Sequence, residues 1–305
     1  MTVVLSLLAQ AIHIALMIVV APTLAGFMHW LEARLAGSRG PRPGQGWTNL
    51  RRLLRKQPEV PETATWVFRQ APAVAFALVL AVAALVPSFS LGMAFAPLAD
   101  LIAIAGLLTA SRVAVALGGL DVGTAAPGLA AGQIMRRCVM AEPGLWLLIF
   151  ALALAAGSSN LDAVVNLQLS GLLQPSAGSA LAAAALAGLV LADGIDPPGH
   201  LTTEFSGSGL ALLQFAQGLR LLVWLDLIGA LFLPVGMAQI DSPATAWLTG
   251  LASWVVRLLV LAGALALMKA LAGGPLWRML PAFLGVTALL AFLAGMLILA
   301  NAGAV

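Results

Sequence analysis

Eight stretches of this chain are apolar for long enough to cross, or nearly cross, a lipid bilayer. Roughly 20 apolar residues are needed to span the hydrocarbon core as a helix. The runs are 3–28, 66–87, 97–117, 138–157, 178–193, 209–236, 245–268 and 281–302. The fifth is short, and the sixth is long enough to tilt. Of the 305 residues, 61% are hydrophobic and 9% are charged. A soluble domain carries about 25% charged residues, and a soluble globule of this composition would expose large apolar patches. The predicted fold class is an all-α integral membrane protein: one membrane domain over residues 1–305, a bundle of eight transmembrane helices. The first run lacks a basic leader region and a clear small-residue cleavage site, and is read as a span rather than a secretory signal.

Positive charge sorts the loops. Arg34, Arg39, Arg42, Arg51, Arg52, Arg55, Lys56 and Arg69 lie between spans one and two. Arg136 and Arg137 precede span four, and Lys269 and Arg278 lie between spans seven and eight. Segments 88–96, 158–177 and 237–244 carry no Lys or Arg, and neither terminus does. Lys and Arg track the cytoplasmic side, so both termini are predicted to face the periplasm, in a multi-pass protein of the cell inner membrane. The net charge of +3 follows from this topology, not from nucleic-acid binding.

Residues 31–65 form a basic cytoplasmic loop. The Gly/Pro stretch Gly37–Gly46 is incompatible with helix. After it, Trp47, Leu50, Leu53 and Leu54 recur at helical spacing among Arg51, Arg52, Arg55 and Lys56. That pattern predicts a short basic amphipathic helix at the membrane surface. It serves as a positive-inside anchor, as a docking surface for a soluble subunit, or as both.

Charges inside the apolar runs point to function. Arg112, Glu142, Arg220, Asp226 and Arg257 each interrupt a span. A charge at bilayer depth costs at least about 2.5–3.5 kcal/mol on insertion scales, so such groups face partners or water-filled cavities. At 1.5 Å per residue, Glu142 lies about 7 Å below the cytoplasmic surface, Arg220 about 16 Å in, and Asp226 about 9 Å beyond it. Arg112 is similarly shallow, and Arg257 is near the middle of span seven. Together they suggest a stepped polar path. Arg220 and Asp226 are six apart and point to different faces of one helix, so partners are expected from spans three, four and seven. Three arginines against two carboxylates nearly cancel, as a buried cluster requires. Two readings stay open: a proton-conducting network, or ion pairs that only hold helices together.

Other chemistry finds little support. One cysteine, Cys138, excludes a disulfide framework within the chain and an all-cysteine iron–sulfur or zinc site. His13, His29 and His200 lack metal-ligand spacing. His13 is expected to be a hydrogen-bonded helix contact, Asp100 a helix cap, and Cys138 inert. Gly and Ala in Ala180–Gly188 are expected to allow close helix packing. No phosphate loop, dinucleotide fingerprint, catalytic triad or internal repeat is found, and the missing repeat argues against an independent secondary transporter.

Four stretches together carry a resemblance: Ala33–Pro43 (ARLAGSRGPRP), Gly119–Thr124 (GLDVGT), Ala141-Glu142-Pro143, and Glu204–Leu212 (EFSGSGLAL) leading into LRLLVWLDLIGALFLPVG. In this order, and over nearly the whole chain, they resemble the formate hydrogenlyase subunit 4/hydrogenase-4 component C family, which is homologous to respiratory complex I subunit 1. The resemblance implies an eight-span bundle that anchors a hydrophilic redox arm and links it to antiporter-like membrane subunits. Partner subunits would carry the iron–sulfur clusters and a nickel–iron site, and this chain would bind no cofactor. Arg39, Gly40 and Pro41 match the loop lying against the arm, with Arg34, Asp121, Arg136 and Arg137 as further docking candidates. Glu142 matches the family's Glu-Pro glutamate on the proton path. Arg112, Arg220 and Arg257 fall on basic family positions, Arg220 replacing a lysine. Glu204 matches the acidic residue of the Glu-Tyr-Ser-Gly motif, with Phe205 in place of tyrosine. The loop 194–208 is shortened, which removes family carboxylates. Asp193 and Asp196 are candidates to compensate, and Asp226 to add a deeper site. The implied function is a group 4 membrane-bound hydrogenase subunit coupling electron transfer to proton or sodium translocation. The alternatives are a non-pumping scaffold of the same complex, or the homologous membrane subunit of an NADH-quinone oxidoreductase.

Overall fold

The protein is described by a computed structural model covering residues 2–169, 176–194, 204–272 and 279–302. Asp196, His200, Arg278 and most of the shortened loop 194–208 lie outside the described residues. The helices are α1 (Thr2–Leu35), α2 (Gln45–Leu54), α3 (Trp66–Leu85), α4 (Leu101–Asp121), α5 (Ala125–Ala156), α6 (Leu161–Leu169), α7 (Ala177–Asp193), α8 (Gly207–Phe232), α9 (Ala244–Ala272) and α10 (Leu280–Ala302). Seven of them are long and apolar enough to cross a membrane, and α7, with 17 residues, is a shorter apolar helix. The chain is a multi-pass, helical membrane protein.

Helix α8 is the axis of the bundle. Every residue from Leu222 to Leu231 is buried, whereas the other spanning helices leave one side apolar and exposed, as a lipid-facing surface requires. Helices α1, α3, α7 and α9 surround α8, and α10 closes the far side against α5 and α7. The expected close packing of the Gly/Ala run is present: a Cβ on Gly188 would lie 2.4 Å from Thr287 Cγ2 of α10.

Two boundaries differ from expectation. Span four begins at Ala125, not 138, so Arg136, Arg137 and Pro143 all lie inside a 32-residue helix. Glycines and two arginines hide the segment from an apolar-run reading, yet Ala130 and Ala131 bury against Ala116 of α4 and extend the helix. The second difference is a two-residue parallel pairing, β1 (Ser90–Leu91) with β2 (Ala238–Gln239), within an otherwise helical protein. It ties the α3–α4 loop to the α8–α9 loop.

The amphipathic helix forms as α2. Leu50 and Leu53 bury against Ala211 of α8, with Trp47 and Phe215 alongside. Leu50 and Leu53 therefore face protein, while Leu54 is exposed. Arg51, Arg52, Arg55 and Lys56 are exposed. This basic end of the bundle contrasts with the opposite end, where the described loop residues carry aspartates and no Lys or Arg. There Asp100 caps α4, accepting from Ile102 N at 2.7 Å and Ala103 N at 3.4 Å, as expected. The Ser159 hydroxyl at 2.5 Å, aided by those amides against a smaller burial effect, holds its carboxyl below the usual range. Asp162, beside it on α6, is pushed up by burial despite accepting from Gly92 N.

Candidate functional site

Asp193 occupies the last turn of α7 and gathers three helices around one carboxylate. Arg112 of α4 contacts Oδ1 through Nη2, which also donates to the Asp193 backbone carbonyl at 2.8 Å. Arg220 of α8 spans both oxygens, with Nε 2.8 Å from Oδ2 and Nη2 3.3 Å from Oδ1. Trp224, one turn beyond Arg220, donates its indole N–H to Oδ2 at 3.0 Å. The planar guanidinium offers donors in a fixed fork. Arg220 uses the remaining side of that fork, Nη1, for Leu108 O at 2.7 Å and Ser111 Oγ at 2.6 Å. Leu108, Ser111 and Arg112 sit at i, i+3 and i+4 on α4, and so share one face.

Above this cluster lies a cavity of about 440 Å³. It extends from Pro41 and Gln45 at the basic end to Arg220 and Trp224 at its floor, between apolar walls that include Leu50 and Val79. At its wall, Lys269 of α9 pairs with Glu32 of α1 at 3.0 Å. A smaller recess of about 50 Å³ shares Arg112, Arg137, Asp193 and Arg220 with the main cavity and adds Glu142 and Cys138. Glu142 is half-buried. Arg137 is buried and faces this space, while Arg136 next to it is exposed to a larger degree.

A second buried polar cluster lies toward the acidic end. Asp226 accepts from Trp254 Nε1 of α9 at 2.7 Å. Arg257 donates through Nη1 to Leu233 O at 3.1 Å and through Nη2 to Ser88 O at 2.5 Å. Ser88 Oγ lies 2.7 Å from His13 Nδ1, and His13 Nε2 lies 2.7 Å from Ala83 O. His13 is thus the bonded helix contact expected of it.

The structure therefore separates the sequence candidates. Arg112, Arg220, Asp193, Arg137 and Glu142 come together. Asp226 and Arg257 form the other cluster, so the charges lie in two centres along α8. Arg220 and Asp226 do not pair, as their spacing implied, but Arg220's carboxylate comes from span five, which is not among the expected sources. Asp121 has an internal role: its carboxylate accepts from Thr65 N at 2.6 Å, Thr65 Oγ1 at 2.7 Å and Phe68 N at 3.1 Å, capping α3. Glu204 is half-buried at the start of the α8 segment, next to Phe205, whose ring stacks on Phe68 at 4.3 Å. Arg34 packs over Trp30 at 5.6 Å. Arg39 and Gly40 are exposed, and Gly40 has φ +60°. Ser111, Trp224, Ser88, Trp254 and the Glu32–Lys269 pair escape a reading of the sequence. Only Trp224, four residues after Arg220, carries a local signal. Among the described residues no group of His, Cys, Asp or Glu is arranged to hold a metal.

The NADH dehydrogenase family model matches residues 11–195. Hydrogenase-4 component C of Escherichia coli (strain K12) is 33% identical over 242 residues, covering 76% of this chain and 76% of that protein. Formate hydrogenlyase subunit 4 of the same strain is 29% identical over 245 residues, 77% of this chain and 80% of that protein. A chain of the membrane-bound sulfane sulfur reductase, an archaeal respiratory membrane complex, superposes with a TM-score of 0.79 at 16% identity, covering 95% of this chain and 98% of its own length. That likeness is one of fold.

Proposed function

Because the chain belongs to the family of hydrogenase-4 component C and formate hydrogenlyase subunit 4, within the wider NADH dehydrogenase family, we propose that it is the membrane subunit of a complex-I-related, group 4 membrane-bound hydrogenase. In this reading it crosses the inner membrane eight times with both termini in the periplasm. It anchors the hydrophilic redox arm on its basic end and couples electron transfer to proton or sodium translocation. Hydrogenase large and small subunits and iron–sulfur proteins dock there, and antiporter-like subunits adjoin it within the bilayer. The nickel–iron site and the clusters belong to those partners. The observation that carries the reading is the Arg112–Asp193–Arg220 cluster at the floor of a cavity reaching the basic end, with Glu142 in the adjoining recess.

The mechanism is electrostatic. Asp193 holds two guanidinium groups at fixed positions, and Glu142 lines the recess beside them. Charge arriving in the docked arm changes the field in the recess that Glu142 lines, and a proton moving through that recess responds to it. Glu142→Gln in the assembled complex is expected to lower coupled proton uptake by inverted vesicles while the complex still assembles. Undiminished uptake would remove Glu142 from the mechanism. A second reading, a non-pumping scaffold, draws on the same cluster, because a carboxylate bound by two arginines is also a clasp between α4, α7 and α8. In that case Arg220→Met disturbs assembly, and no separate transport defect is seen in any variant that assembles.

A further inference from the structure

Asp226 differs from Asp193 in how its oxygens are used. It is 2% exposed, within the fully buried run of α8. Trp254 Nε1 donates to Oδ1 at 2.7 Å, while Oδ2 has no hydrogen-bond partner among the described residues. Arg257 makes no bond to that oxygen; its two terminal nitrogens donate to Leu233 O and Ser88 O. Its stem lies on Gly229, where a Cβ would meet Nε at 2.7 Å. Gly229 is three residues beyond Asp226, on the same face of α8. Backbone carbonyls and a glycine therefore hold the guanidinium near the carboxylate without a direct bond between them.

A buried carboxylate whose charge is structural is bonded through both oxygens, as Asp193 is. A buried carboxylate bonded through one oxygen, beside a cation fixed by other groups, can change its charge without dismantling its surroundings. We infer that Asp226 is a reversible proton-binding site. Oδ2 accepts a proton from hydronium, leaving water, and the reverse step returns the proton to water. The Trp254 bond to Oδ1 and both carbonyl anchors of Arg257 persist in either state. Arg257 and Ser88 lie between Asp226 and the loops of the acidic end. The ionisable groups around Asp226 are Arg257 of α9 and, behind Ser88, His13 of α1. Farther along the packed helices are Arg220 on α8 itself, Asp193 of α7, held by its two arginines, and Asp162 of α6, bonded to Gly92 N. The consequence for coupling rests on the reading above: the carboxylate that changes charge at the acidic end is Asp226, while Asp193 keeps its own. The titration itself does not depend on that reading.

Infrared difference spectra of the full-length protein between high and low pH test this. All 12 Asp and Glu residues contribute protonated-carboxyl C=O absorption on acidification, so the Asp226 band is read by subtraction. Subtracting the Asp226→Asn difference spectrum from that of the wild type is expected to leave a reversible C=O band sensitive to exchange into D2O, and the same band is expected when the subtraction is made in the Glu142→Gln background. A subtraction that leaves no such band overturns the inference. If Asp226→Asn fails to accumulate, Trp254→Phe decides: loss of the donor to Oδ1 moves the Asp226 band to higher wavenumber, seen as a paired loss and gain against the wild type, and the absence of that pair overturns the inference. Failure of the coupling reading is seen separately, as undiminished vesicle uptake in Glu142→Gln.

Discussion

The two buried aspartates, Asp193 and Asp226, sit in clusters separated by less than two turns of α8, yet they are held in opposite ways. Asp193 receives two guanidinium groups and an indole N–H, with both oxygens occupied. Asp226 receives one indole N–H, and the nearby Arg257 is bonded elsewhere. Placing a charge in low dielectric is costly unless it is paired and fully bonded. The first aspartate meets that condition through its partners, and the second meets it only in part. Burial alone therefore does not tell the two apart; the number of donors that fix each oxygen does.

The contrast breaks most readily at Asp193. Asp193→Asn leaves Arg112 and Arg220 facing each other without a counter-charge, and is expected to cost about 3–5 kcal/mol, read as thermal unfolding of the detergent-solubilised protein. A loss no larger than that of Asp226→Asn would erase the distinction. Gly229→Ala pushes a methyl group into Arg257 and is expected to cost about 1–3 kcal/mol by overpacking. If its loss persists when Arg257 is also replaced by Ala, the guanidinium is not what Gly229 accommodates. Asp226→Asn keeps an oxygen opposite Trp254 Nε1, and its expected cost is about 1 kcal/mol or less in the same assay. Lys269→Met removes a partly exposed pair with Glu32 at the cavity wall. About 0.2–1 kcal/mol is expected, and the difference from wild type should shrink as salt is raised.

The smallest effect is one of pH. The Ser159 hydroxyl and two helix amides hold the Asp100 carboxyl below its unfolded value. Its stabilising contribution is therefore complete above the ordinary carboxylate range and is lost as pH falls through the lower folded value. Thermal midpoints of wild type and Asp100→Asn should converge on acidification. Parallel curves would show that this cap does not titrate with folding.

Much of the architecture is legible in the sequence because a bilayer imposes lengths and charge placements that local sequence must satisfy. The apolar runs appear as helices, the basic amphipathic stretch forms α2, and Asp100 and His13 take the roles their positions suggest. Residues 125–137 escape that reading because helix formation there depends on Ala130 and Ala131 packing on α4, which a run of apolar residues does not register. Arg137 looks like a loop residue for the same reason. The bonds of Asp121 to Thr65 and Phe68 also escape the sequence, because those partners are more than fifty residues away.

Sequence by itself determined that this chain is a multi-pass helical membrane protein of its family, and that the charges inside its spans need partners. Both follow from the free energy of apolar and charged groups in hydrocarbon, a property of each residue before any fold exists. Only the tertiary structure decided which charges meet. Asp193, at the end of an apolar run, became the centre of one cluster because α4, α7 and α8 converge there. Asp226 kept one bare oxygen, and Arg257 beside it is bonded to backbone carbonyls instead. A side chain's partner is a fact about the helices around it, and helical spacing within one segment carries no record of them.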